Sequence, residues 1–154
     1  MKYLFDSSAI FNAIKENKID FLVGNATLEL ARYELGNILW KNFSLQAKTS
    51  DKEVRALAKI VKQTLNLMEI VQITCNEEEI LETAAQLKIT FYDASYAYNA
   101  KAKKLPLITE DLQLLRKITA HINASRLKDI KQLDEERSPL VPDAENPQNR
   151  NKPS

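Results

Sequence analysis

Asp6, Glu34, Asp93 and Asp111 are distant in sequence, yet each stands where an apolar run ends or a helix turns its face. Carboxylates gathered in one place repel one another unless a cation lies between them. An oxygen-only donor set of this kind suits a hard divalent ion such as Mg²⁺ or Mn²⁺. Metal-assisted hydrolysis of a phosphodiester is the chemistry to which such a cluster points.

The elements that would position these acids can be read from the flanking patterns. Lys2-Tyr3-Leu4-Phe5 closes on Asp6 and Leu105-Pro106-Leu107-Ile108-Thr109 runs up to Asp111. Both read as buried parallel strands, whose carboxyl ends line the ligand crevice in open α/β sheets. Ser7 or Ser8 is expected to cap a helix through Ala9, Ile10, Ala13 and Ile14. After Phe21-Leu22-Val23 and the turn Gly24-Asn25, Thr27 is expected to cap a longer helix with apolar positions Leu28, Ala31, Leu35, Ile38 and Leu39. Glu34 lies inside that helix, and Asn37, three residues on, is read as facing inward beside it. Ser50 with Glu53 and Thr74 with Glu77 have capping-box spacing before two further helices, with Ile70-Val71-Gln72-Ile73 as the strand between them. Thr90 is the expected cap of the helix that carries Asp93 in its first turn, where the dipole favours a carboxylate. Leu112, Leu114, Leu115 and Ile118 form a short helix, and Ile122-Asn123-Ala124 a last edge strand. Strands alternating with helices predict an α/β sandwich around a mainly parallel sheet.

At 154 residues and 44% hydrophobic content the chain suffices for one domain with a proper core. We expect that domain over residues 1–133. The segment 134–154 is expected as a flexible polar tail, since Ser138 to Ser154 holds four of the five prolines and little that is apolar. The net charge of +1 excludes a strong global field for polyanions, so any nucleic-acid contact must be local. Arg32, Lys41, Lys101, Lys103, Lys104, Arg116 and Lys117 flank the motifs but read as solvated helix faces. A single cysteine, Cys75, and a single histidine, His121, exclude an internal disulfide and a Cys/His zinc site. His121 is read as structural, so base chemistry falls to a carboxylate or a metal-bound water. No apolar stretch approaches the roughly 20 residues of a membrane span, and a cytoplasmic protein is expected.

Each acid also has an ordinary reading. Asp6 and Asp111 are good helix caps, Asp93 suits a helix dipole, and Glu34 suits a solvated edge. Glu110 is read as facing water. Trp40, Phe43 and Tyr98 read as core or subunit interface. The functional case rests on the set of four.

Phe5-Asp6-Ser7-Ser8, Glu34 with Asn37, Tyr92-Asp93-Ala94-Ser95-Tyr96 and Leu105-Pro106-Leu107-Ile108-Thr109-Glu110-Asp111 together resemble the PIN-domain nucleases. The order and spacing extend over residues 1 to about 130, and the compact length looks most like the VapC-type toxin ribonucleases. The resemblance implies a three-layer α/β/α sandwich and a Mg²⁺- or Mn²⁺-dependent endoribonuclease. Its acidic quartet maps onto Asp6, Glu34, Asp93 and Asp111, as catalytic residues and metal ligands. Ser8, Asn37 and Thr109 take the positions of supporting polar groups. The implied partners are an RNA substrate, a second copy of the chain and an antitoxin protein. Surplus apolar side chains on the helices around Trp40 and Val61 agree with a homodimer. A PIN protein of RNA maturation or decay would share this chemistry without being a toxin. A catalytically degenerate scaffold would lack it, and retention of all four acids weighs against that reading. A phosphoacceptor receiver domain would need an acidic pair at the first strand and a late lysine, neither of which can be placed.

Overall fold

The chain is described by a computed structural model that covers residues 2–44 and 50–130. The expected tail, 134–154, lies outside the described residues, as does the end of the expected domain at 131–133. Five short strands, β1 (Leu4–Phe5), β2 (Ala26–Leu28), β3 (Glu69–Val71), β4 (Leu107–Ile108) and β5 (Ala124–Ser125), form one sheet in the order β3-β2-β1-β4-β5. All four pairings are parallel. Among the described residues six α-helices flank it: α1 (Ser7–Lys15), α2 (Leu30–Ser44), α3 (Asp51–Asn66), α4 (Glu77–Leu87), α5 (Phe91–Lys103) and α6 (Leu112–Ile118). The expected α/β sandwich is the observed architecture.

Side-chain alternation along the central strands divides the core into its two layers. Phe5 and Ile108 pack with Ile10 of α1, Leu35 of α2 and Leu65 of α3. Leu4 and Leu107 point the other way, onto Tyr96 and Ala100 of α5 and Leu114 and Ile118 of α6. A parallel sheet covered on both faces must be apolar at consecutive positions, which is why the strands read as unbroken runs. Before β2, Gly24 adopts φ +71°, a conformation in which a side chain would be strained. Asn25 then ties the turn together: its Oδ1 accepts from the Tyr3 backbone N–H (2.8 Å) and its Nδ2 donates to the Phe21 carbonyl (2.6 Å).

Several expected boundaries move. Asp6 itself, not Ser7 or Ser8, caps α1. Phe21 and Leu22 belong to a 3₁₀ turn, Ile19–Leu22. Thr27 and Leu28 are strand residues, and α2 begins only at Leu30. The third strand is Glu69–Val71, ending before Ile73, and the edge strand is Ala124–Ser125. Asn76 occupies the cap of α4 without a side-chain capping bond, so Thr74 does not cap it. The Ser50–Glu53 capping box and the Thr90 cap form as expected. Trp40 and Phe43 are 54% and 43% exposed, which removes them from this chain's core. Tyr98 is half-buried, and its hydroxyl meets Asn76 Oδ1 at 3.2 Å.

Thr27 is fully buried and its hydroxyl donates to the Phe5 carbonyl at 2.8 Å, bracing β2 against β1 just before Asp6. A helix cap would tolerate aspartate, whereas this site would have to bury the charge. Thr27→Asp should therefore cost at least about 3 kcal/mol. Thr27→Val, which removes the hydroxyl's hydrogen bonds to the Phe5 carbonyl and with Tyr96, should cost about 1–2 kcal/mol in urea unfolding.

Candidate active site

The site is assembled at the carboxyl edge of the central strands. Asp6 follows β1 directly and is 6% exposed. Its Oδ1 accepts from the Ala9 backbone N–H (2.9 Å), as the cap of α1, and from the Ser8 hydroxyl (2.6 Å). Burial pushes its carboxyl up from 3.8 to about 6; the hydrogen bonds with Ser8, Thr109 and Ala9 oppose that, and the charge of Glu34 adds to it.

Ser8 connects this strand end to the next. Its Oγ lies 3.3 Å from Thr109 Oγ1 and accepts from the Glu110 backbone N–H at 2.9 Å. Thr109, fully buried at the end of β4, accepts in turn from the Asp111 backbone N–H at 3.1 Å. Two hydroxyls thus lock the two strand ends together, and the supporting positions expected for Ser8 and Thr109 are occupied by groups of the right kind.

Glu34 comes from α2. Helical periodicity buries Ala31, Leu35 and Leu39, and Glu34 lies on the flank of that stripe. The Tyr96 hydroxyl donates to Glu34 Oε2 at 2.7 Å. Burial raises the Glu34 carboxyl, hydrogen bonds with Tyr96 and Ser7 lower it, and the charge of Asp93 raises it further. Burial and the charge of Glu34 in turn push the Tyr96 phenol far up, so Tyr96 remains a donor.

Asp93 lies in the first turn of α5, where Thr90 Oγ1 donates to its Oδ2 (2.8 Å) and its backbone N–H returns to Thr90 Oγ1 (3.1 Å). Asp111 is exposed, and its Oδ1 caps α6 by accepting from the N–H groups of Gln113 (2.8 Å) and Leu114 (3.0 Å). The charge of Glu34 thus acts on Asp6 and that of Asp93 on Glu34, whereas Asp111 Oδ1 caps its own helix. Among the described residues no three His, Cys, Asp or Glu side chains lie close enough together to hold a metal ion. The chemistry of the donors nevertheless fits one: all are hard oxygens, and two of the carboxyls are pushed up by burial and by like charge, which a cation would relieve.

Two expectations are corrected. Asn37 is exposed, because it stands two residues past Leu35, about 200° around the helix from the buried stripe. It does not face inward beside Glu34. Glu110 does not simply face water: its side chain is 15% exposed, holds Arg126 through Nε (2.8 Å) and Nη2 (2.6 Å), and caps the Leu127 N–H (3.0 Å). His121 is exposed. Tyr96 is the residue that sequence reasoning missed, although its place three residues after Asp93, on the same helix face, was a usable signal.

The Asp6 shift sets a pH dependence. A carboxyl raised from 3.8 in the unfolded chain to about 6 in the fold favours the native state while protonated, and that contribution is lost as pH rises through about 6. The difference is worth about 3 kcal/mol at neutral pH. In EDTA, Asp6→Asn should raise stability at pH 7.5 by up to that amount and flatten the decline between pH 4 and 7, measured by denaturant unfolding.

No family model matches the chain. A protein of Pyrobaculum aerophilum named Exonuclease VapC9 is 33% identical over 129 residues, which cover 82% of this chain and 93% of that one. The crystal structure of PAE2754 from the same organism superposes with a TM-score of 0.74 at 30% identity, covering 88% of this chain and 98% of the other. VapBC2 from Rickettsia felis, bound to a DNA fragment from its promoter, gives a TM-score of 0.59 at 17% identity, with 82% and 98% covered. A toxin-antitoxin complex from Klebsiella pneumoniae gives 0.54 at 16%, with 74% and 90% covered. These last two likenesses speak for the fold alone. The parallel sheet in the order β3-β2-β1-β4-β5 with acids at its carboxyl edge, and one-third identity across nearly a whole relative, place this chain in the VapC family of PIN-domain proteins.

Proposed function

We propose that the chain is a VapC-type nuclease toxin that hydrolyses RNA phosphodiester bonds with Mg²⁺ or Mn²⁺ held by Asp6, Glu34, Asp93 and Asp111. The observation that carries this reading is the Asp6–Glu34 pair at the carboxyl edge of the sheet, two carboxyls raised by burial, of which Asp6 is raised further by the charge of Glu34. Kinship with a protein named an exonuclease supports nuclease chemistry.

When bound, a divalent cation supplies positive charge against the developing charge on phosphorus oxygens and lowers the pKa of a coordinated water. The chain's own groups do the rest. Ser8 and the Ala9 amide fix the Asp6 carboxylate, and Tyr96 fixes that of Glu34. Glu34 and Asp93 orient the attacking water, and Glu34, whose carboxyl is raised by burial, takes its proton. The water oxygen joins phosphorus, one ester P–O bond breaks, and the departing alkoxide takes up a proton.

The chain's partners follow from the same reading. The exposed Trp40 and Phe43 on α2 form the surface that a second copy would cover. An antitoxin would silence the site most simply with an arginine, whose bidentate pairing with the carboxylates competes with metal and substrate. No helix among the described residues is long and apolar enough to cross a membrane.

The relative's name favours weighing an exonuclease against an endonuclease. Purified protein with Mn²⁺ should cleave both linear and covalently closed circular RNA, and EDTA should stop it. Asp6→Asn and Asp93→Asn should each lower the rate at least about 100-fold while folding normally. Cleavage of linear RNA alone would make the enzyme an exonuclease, and undiminished cleavage by both variants would remove the acids from the mechanism.

A further inference from the structure

A groove of about 470 Å³ runs between α2, the end of β3 and the first turns of α4 and α5. Its floor and walls are apolar, with Leu30, Ile73 and Phe91 among them, and Tyr33 and Tyr92 form part of its lining. These two tyrosines are 71% and 60% exposed, although an aromatic ring gains most by burial.

The groove and the candidate site share two helices, α2 and α5. Tyr33 immediately precedes Glu34 on α2, and Tyr92 immediately precedes Asp93 on α5. Successive helical residues are turned by about 100°, so the same two helices that present acids to the site present tyrosines to the adjoining groove. An occupant of the groove therefore contacts residues that directly precede Glu34 and Asp93.

Charge narrows the occupant. None of the described residues lining the groove is Lys or Arg, while Glu29 and Glu77 are among them. Glu29 is held by Arg32 at 2.8 Å, whereas Glu77 is exposed. A phosphate would be repelled here. A flat, uncharged group that stacks on aromatic rings and carries hydrogen-bond donors at its edge matches the lining, with Gln72, Thr74 and Glu77 as acceptors.

We propose that this groove takes a nucleobase next to the phosphodiester cleaved at the acids, with Tyr33 and Tyr92 as its stacking walls and a preference for bases that bear an amino group. This rests on the nuclease reading above and adds a specificity subsite to it. The two flat rings and the carboxylate edge suit a base better than the apolar side chains of a protein partner, which would leave Glu77 without a donor.

The test uses the full chain, Mn²⁺ and short single-stranded RNAs, intact or with one abasic nucleotide placed at successive positions around the cleaved bond. Tyr33→Ala and Tyr92→Ala alter exposed side chains, and unchanged melting temperatures would verify their folding. Each should raise KM about tenfold with little change in kcat, while Tyr→Phe stays close to wild type. One abasic position should weaken the wild type by a similar factor and weaken the alanine variants no further. An unchanged KM in both variants, or an abasic penalty equal in variant and wild type, would overturn the subsite. So would an unchanged KM with loss of a bound protein partner, which assigns the groove to protein. If the wild type cleaves no RNA, the nuclease reading fails separately. Fluorescence anisotropy with the same RNAs then decides the groove alone: an abasic loss confined to wild type supports it, and its absence overturns it.

Discussion

A carboxylate buried at the end of a parallel strand, with a second acid close enough to raise it, is the constraint on which the remainder of this structure depends. Asp6 is 6% exposed and would be costly as an anion without partners. Ser8, Thr109 and the Ala9 amide offset part of that cost, and Glu34 restores some of it. The native chain thus concentrates unfavourable electrostatics in one place, the pattern expected where stability has been exchanged for function.

The fold supplies what the site lacks in stability and brings its parts together. β1 and β4 contribute two core residues each, yet their alternation feeds both layers, with Phe5 and Ile108 on one side and Leu4 and Leu107 on the other. α2 packs largely into the first layer through Leu35 and Leu39, whereas Tyr96 of α5 belongs to the second. The hydrogen bond from Tyr96 to Glu34 therefore joins the two layers where the sheet ends. Displacing either helix would disturb the acid that the other layer holds. Ser8 and Thr109 do the same for β1 and β4.

What was legible in the sequence was whatever depends on a run of residues. The apolar strands ending at Asp6 and Asp111, the amphipathic α3 with its capping box, and the alternation of strand and helix all repeat a signal over several positions. β2 escaped because Ala26-Thr27-Leu28 is too short to show a period, and threonine before a helical pattern looks like a cap. Asn37 was misread because three-residue spacing puts it near Glu34 without saying which side of that pair the core lies on. The pairing of Glu110 with Arg126 and of Glu34 with Tyr96 depends on contacts across 16 and 62 residues, which no local pattern encodes. Asp111 looked the equal of Asp6 because both end strands, but only Asp6 is buried.

On the function proposed above, Asp6, Glu34 and Asp93 would hold a hard cation at the sheet edge. Binding is measured by the melting temperature of the wild-type chain in EDTA and in increasing Mn²⁺, with Asp6→Asn beside it. A ligand that binds only the folded state raises its stability by mass action. A saturable upward shift is expected for the wild type and is lost in Asp6→Asn. A wild-type melting temperature indifferent to millimolar Mn²⁺ would contradict it.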